Sequence, residues 1–292
     1  MFDSMIIGQI TLDHNIDYDG REEFINGGAV TFSGYAAAAI GHRVAVVPKG
    51  NTRVIDPFRV FRGSKVDAIY AVETETYTEM QNTYFTADRE RRRCLNTRGI
   101  EPYKPSDLPD VEAKVYHLGG LVAGDFSAEF VKACAARGET ALDVQGMMRF
   151  RNEDGTLTLR DWPEKQQILP LIRYLKTDAA EAEILTGTDD REKAAFQLCK
   201  WGAKEVLITH NTEAIVCDGA RIYRAKLCPR NLTGRTGRGD TTFAGYLCER
   251  LDHDIQTALT FAAALVSLKM ETPGPFKGTR QDVYDYIQTF YC

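Results

Sequence analysis

The residues best suited to chemistry lie late in the chain, in Gly234-Arg235-Thr236-Gly237-Arg238-Gly239-Asp240, followed by Thr241-Thr242-Phe243-Ala244-Gly245-Tyr246-Leu247. Glycines let a backbone turn tightly and approach a ligand closely, and Phe243, Leu247 and Leu251 then recur on one apolar helical face. A helix start presents unpaired N–H groups and the positive end of its dipole, which suits phosphate oxygens. A carboxylate at the same turn would repel a phosphate. Asp240 makes sense if it meets the other substrate and takes the proton from a hydroxyl that attacks phosphorus.

The competing explanation is that Asp240 simply caps the helix. A second string, Gly119-Gly120-Leu121-Val122-Ala123-Gly124-Asp125, also ends in Ala-Gly-Asp before a helical run. Context separates the two. The 234–247 string comes after several strand–helix units, and motifs elsewhere in the chain support it.

Together these motifs resemble the PfkB (ribokinase-like) carbohydrate kinases along nearly the whole chain. The string at 234–247 is similar to that family's Gly-Ala-Gly-Asp signature, with Arg238 in place of the usual Ala. Ile6-Ile7-Gly8-Gln9-Ile10-Thr11-Leu12-Asp13 resembles the opening strand that ends in a substrate-binding Asp, and Gly27-Gly28 resembles the di-glycine substrate motif. Lys176-Thr177-Asp178-Ala179-Ala180-Glu181 resembles the Asn-x-x-Glu segment, with Asp178 for Asn.

The resemblance implies a phosphotransferase that uses ATP and Mg²⁺ to phosphorylate a hydroxyl of a small polyol. Asp240 is its general base, and Gly237, Arg238 and Gly239 supply the anion hole for the phosphate in transfer. Gly237 and Gly239 then also face the nucleotide, with Thr209 on the nucleotide side and Ala262–Ser267 packed near the adenine. Asp178 and Glu181 lie one helical turn apart and, as an oxygen-only pair, suit Mg²⁺ held largely through water. Alone they would read as first-turn acids favouring the helix dipole.

Asp13 follows an apolar strand, where a buried carboxylate is costly unless paired, and vicinal hydroxyls of a polyol could pair it. Gly27 and Gly28 would let the substrate lie against bare backbone, and Asn82 is placed over the cleft. Phe32 and Ala29 stand where ribokinase-like members carry Asn and Lys, which argues against ribose. The combination of the 234–241 string, Lys269-Met270-Glu271-Thr272-Pro273-Gly274-Pro275 and Asp178 looks most like the inositol-kinase branch, so a cyclitol such as myo-inositol is favoured. The alternatives are a sugar or nucleoside kinase of the same family and a non-catalytic nucleotide-binding relative. Asp143 and Arg149 follow a strand and are left unassigned, and His117 reads as a core histidine.

Composition agrees with an enzyme of this kind. Across 292 residues, 43% are hydrophobic and 26% charged, which suits a large folded core. A net charge of −5 argues against a nucleic-acid protein held by phosphate neutralisation. The basic run Arg89-Glu90-Arg91-Arg92-Arg93 is the exception and reads as a solvated strand edge. Seven cysteines without a CxxC read as reduced thiols. No signal peptide or membrane-length apolar run is seen, so a soluble, cytoplasmic protein is expected. No P-loop GxxxxGK[ST] string occurs, and the glycine fingerprint of a dinucleotide oxidoreductase is missing after the first strand.

These residues need a scaffold. Short apolar runs at Ser4–Ile10, Val44–Val47, Val115–Leu118, Ala141–Val144 and Val206–Thr209 alternate with helical stretches at Val30–Ile40, Ala128–Ala136, Glu164–Leu175 and Arg191–Trp201. The expectation is an α/β fold, ribokinase-like, with a mainly parallel central sheet and helices on both faces. Residues 66–98 break the rhythm as a Thr- and Tyr-rich meander. The resemblance makes this meander, with part of 11–25, a small β-sheet lid inserted into one kinase domain spanning 1–292, and it allows a homodimer through that lid.

Overall fold

A computed structural model describes residues 1–86 and 91–291 of the chain. Its centre is a ten-stranded sheet. The strands run in the order Ile222–Lys226, Glu213–Cys217, Glu205–Thr209, Tyr174–Asp178, Glu139–Asp143, Ala113–Leu118, Phe2–Gly8, Val44–Gly50 and Ala68–Ile69. Val72–Glu73 also pairs with Val44–Gly50. From Glu205–Thr209 to Ala68–Ile69 all pairings are parallel, and the two strands at the other edge are antiparallel. The carboxyl ends of the parallel strands therefore line one rim, which carries Gly8, Asp143, Asp178 and Thr209.

Alternation along each strand feeds two cores. In the first strand Met5 and Ile7 join Phe130, Val131, Leu185 and Leu198 from the helices of one face. Ile6, between them, joins Val30, Ala244 and Phe261 from the helices of the other. The second face is built by helices Ala29–Ala39, Arg238–Glu249, Ile255–Lys269 and Arg280–Phe290, packed in that sequence. Among the described residues no helix is long and apolar enough to cross a membrane.

A separate four-stranded sheet runs in the order Glu22–Gly27, Thr11–Ile16, Thr78–Tyr84 and Arg92–Arg98. It matches the expected small sheet, with one difference. Residues 68–73, expected in the meander, instead extend the edge of the central sheet beside Val44–Gly50. Their alternation is too short to pair elsewhere, and the parallel edge offers open hydrogen-bonding groups. Of the basic run, Arg89 and Glu90 lie outside the described residues, while Arg91, Arg92 and Arg93 are exposed.

A second difference concerns Glu164–Leu175, expected as one helix. Only Lys165–Ile168 is α-helical. A 3₁₀ turn follows over Leu169–Leu171, and the chain then becomes the central strand Tyr174–Asp178. Pro170 lacks an N–H and cannot continue the helix, which stops the apolar periodicity there.

Candidate active site

The glycine-rich string folds as the sequence suggests, with one change of role. The helix runs Arg238–Glu249 and its N-cap is Gly237, so Asp240 is the third helical residue and makes no cap hydrogen bond. Gly237 adopts φ 78°, and a methyl group added there would meet the Phe32 ring at 2.1 Å. Phe32 thus forms the floor beneath the helix start. Arg238 is half-buried as the first helical residue, and its carbonyl accepts from the Thr242 hydroxyl at 2.8 Å.

Three cations surround Asp240. Burial, reinforced by the negative charge of Asp143, raises its carboxyl to about 6, while Lys176, Lys269 and Arg149 pull the other way. Lys176 comes from the Tyr174–Asp178 strand, and its ammonium donates to both carboxylate oxygens of Asp143, at 2.9 and 3.1 Å. A methyl group on Gly239 would lie 3.3 Å from that ammonium, so Lys176 sits directly against the glycine turn. Burial disfavours its charge, yet Asp143, Glu181 and Asp240 overcome this and hold Lys176 above the ordinary lysine range. Lys269, at the end of helix Ile255–Lys269, is 1% exposed, and burial lowers its ammonium to about 8 against the pull of Asp240.

The acid pair is engaged locally. Asp178 caps the Ala179–Thr186 helix by accepting from Glu181 N–H at 2.9 Å, and Glu181 Oε2 accepts from Asp178 N–H at 2.9 Å. This capping box accounts for one oxygen of each. Burial then raises the Glu181 carboxyl to about 7. Among the described residues no three His, Cys, Asp or Glu side chains converge as a metal cage.

Asp13 lies on the Thr11–Ile16 strand of the small sheet, where burial raises its carboxyl to about 6. Its Oδ1 is buried without a hydrogen-bond partner among the described residues. Gly27 lies against the other oxygen, since a methyl group there would come within 2.3 Å of Asp13 Oδ2. Gly28, with φ 94°, would put a methyl group 2.1 Å from the Gln9 carbonyl oxygen. Register places Asn15 beside Asn82, and the Asn82 amide donates to Asn15 Oδ1 at 3.1 Å. Asn82 is thus committed to a neighbour within the sheet. Cys94 stands opposite Asn82, and its thiol is influenced by Arg149, Arg92 and Asp13. The charge of Arg149 is thus felt by both Cys94 and Asp240, and its guanidinium donates to Gln145 Oε1 at 2.6 Å.

The remaining sequence candidates are placed as follows. Thr209 ends its strand and donates to the Thr177 carbonyl at 3.5 Å. Residues 262–266 and Ser267 are all fully buried, and Ser267 Oγ contacts the Tyr291 hydroxyl at 3.0 Å and accepts from Cys228 N–H at 2.9 Å. That stretch, expected near an adenine, is covered by the chain's own side chains. His117 is a core residue edge-on to Phe243, and burial lowers its imidazole to about 3. The Asp125 carboxylate accepts from Leu121 and Val122 N–H, so the similar Gly119–Asp125 string folds back on itself. Sequence reasoning missed the roles of Lys176, Lys269 and Asp143. Their only local signal is a charge within an apolar strand or at the end of an apolar helix.

Comparison with known proteins bears on the family and the fold. The pfkB family carbohydrate kinase model matches residues 59–280. A cytidine kinase of Thermococcus kodakarensis is 25% identical over 252 residues, covering 85% of this chain and 88% of that protein. A sulfate complex of a pyrophosphate-dependent kinase in the ribokinase family superposes with a TM-score of 0.87 at 30% identity, covering 96% of this chain and 99% of that one. Such a kinase complexed with a pyrophosphate analog and myo-inositol gives a TM-score of 0.86 at 29% identity, covering 97% and 99%. The chain belongs to the pfkB family of carbohydrate kinases.

Proposed function

We propose that this kinase transfers a phosphoryl group to a hydroxyl of a cyclitol such as myo-inositol. The observation that carries the reading is that two acids, one on the small sheet and one at the glycine-rich helix start, are each raised to about 6 by burial. Asp240 stands on a glycine-opened helix start under the influence of three cations, and Asp13 on the small sheet carries a buried oxygen without a partner among the described residues. Asp13 accepts hydrogen bonds from the ring hydroxyls, and Gly27 and Gly28 let the ring lie against backbone. Asp240 takes the proton of the attacking hydroxyl, and near neutral pH its carboxyl is ionised and ready. The amides of Gly237, Arg238 and Gly239, with Lys176 behind them, stabilise charge on the phosphoryl oxygens as it develops. The small sheet closes over the cleft and excludes water.

Pyrophosphate is the preferred donor reading. It is supported by the covered Ala262–Ser267 surface, by a glycine turn flanked by Lys176 and Lys269, and by two solved structures near 30% identity of pyrophosphate-dependent kinases. ATP is the second reading, favoured by the family resemblance and by Thr209 at the strand end. Mg²⁺ fits Asp178 and Glu181 as an ion that keeps most of its waters, because the capping box engages one oxygen of each and leaves the other to reach the metal or its waters. Bound there, it would neutralise donor phosphates.

A matrix of donors (pyrophosphate, ATP) against acceptors (myo-inositol, ribose, fructose, cytidine), with products identified by ³¹P NMR, tests all of this. Phosphorylated myo-inositol formed fastest from pyrophosphate is the expected result. A preference for ribose, fructose or cytidine would remove the cyclitol assignment and leave the kinase. No transfer in any combination would favour a non-catalytic binding protein.

A further inference from the structure

We propose that Lys269 is a positioning residue, an internal cation whose ammonium clamps two carbonyls of the glycine turn and so aims the turn's N–H groups at the phosphate. Lys269 is 1% exposed at the end of helix Ile255–Lys269, whose other buried residues are Ala, Leu, Phe, Val and Ser. A charge so placed is costly unless several dipoles converge on it. They do: Nζ donates to the Gly234 carbonyl at 2.5 Å and to the Thr236 carbonyl. The ring of Phe32, the floor under Gly237, lies 5.3 Å from the same nitrogen. Gly234 is also tied to this helix end by its N–H, which donates to the Met270 carbonyl at 2.7 Å.

The link to the anion hole is covalent geometry. In a planar trans peptide the C=O and the following N–H point in opposite directions. Holding the Thr236 carbonyl against Lys269 therefore turns the Gly237 N–H the opposite way, and holding the Gly234 carbonyl does the same for Arg235. Without a cation, two carbonyls would face each other's partial charge in a buried space, and the peptide planes would be free to rotate. Rings of carbonyl oxygens also bind small monovalent cations. A neutral residue at 269 would leave a vacancy that ammonium or potassium ion could fill.

The test compares wild type with K269M, which keeps most of the side chain's packing but ends one atom short, leaving the ammonium position empty. Wild-type rates are expected to be equal in potassium, ammonium and choline chlorides at matched ionic strength. In K269M, kcat is expected to fall roughly 10- to 100-fold with the acceptor KM unchanged, less than the roughly 10²–10³ lost when an oxyanion donor is removed outright, because the donor here is misaligned and not absent. Potassium or ammonium chloride, but not choline chloride, should restore at least a third of that loss on a logarithmic scale. If K269M does not fold, K269Q, whose amide can still donate to one carbonyl, carries the same comparison. Wild-type kcat in either folded variant overturns the proposal. So does a loss that no small cation relieves, which would make the side chain a packing element. A strict potassium requirement in the wild type would mean that an ion, and not Lys269, holds the turn.

Discussion

Replacing Asp240 with Asn separates charge from capping at this helix start. Asp240 makes no cap bond, so the variant loses none. What changes is a buried charge: burial and Asp143 raise the carboxyl from 3.8 to about 6. A tenfold change in proton affinity is worth about 1.4 kcal/mol. Keeping Asp240 ionised at pH 8 therefore costs the fold about 3 kcal/mol, an upper bound because the residue is partly exposed. A carboxyl whose folded value lies above its unfolded one binds more protons in the native state. The cost is therefore complete above about pH 7 and fades as pH falls toward 4. Asp240→Asn should melt higher than wild type at pH 8, by a few degrees at roughly 2 °C per kcal/mol for a chain of this length. Near pH 4 the two should converge. Turnover should fall by roughly 10²–10⁴, the usual worth of a positioned base, with both KM values little changed. Calorimetry at the two pH values, beside a phosphate-transfer assay, reads both effects. Wild-type turnover would refute the base assignment, and a lower melting temperature at pH 8 would refute the electrostatic reasoning.

Three further outcomes follow from the same geometry. Asp13→Asn should raise the acceptor KM roughly 10- to 100-fold, the worth of a charge-assisted hydrogen bond, with the donor KM unmoved; equal changes in both would remove Asp13 from the acceptor site. Glu181→Gln keeps a capping-box partner, so it should melt normally and need more Mg²⁺ for half-maximal rate; unchanged metal dependence would leave Glu181 as a helix-end acid only. Wild-type turnover should drop as pH falls through about 6, where Asp240 and Asp13 both take up protons, and a flat profile from pH 8 to 5 would contradict both assignments.

Glycine strings, strand-end acids and helix periodicity are local properties, and they made the α/β fold, the Arg238–Glu249 helix and Asp13 legible from residue order. The strand Tyr174–Asp178 was hidden because Lys176 interrupts its apolar run, and the preceding residues carry helical periodicity up to Pro170. Lys176 shows its place only once the sheet sets its strand beside Asp143, whose carboxylate satisfies the buried ammonium. Lys269 is similar: 33 and 35 residues separate it from the carbonyls it holds, so no spacing rule connects them. The packing of Phe32 under Gly237 was likewise not legible, because motif position was visible in the sequence and the direction of packing was not. The covered face at Ala262–Ser267 depends on Tyr291, almost at the end of the chain.

Asp13 and Asp240 belong to different sheets: one rides on the small four-stranded layer, the other on a helix against the central one. On the proposed reading, the distance between them is set by how the two layers close, and only a molecule reaching from one acid to the other holds that closure. The cleft then works as a gauge of span. A rigid ring with hydroxyls on opposite edges bridges it, while water, touching one acid at a time, leaves it open. Discrimination against hydrolysis would then reside in the gap between the layers, and changes in the strands joining them would retune which ring is accepted while leaving the chemistry at Asp240 intact.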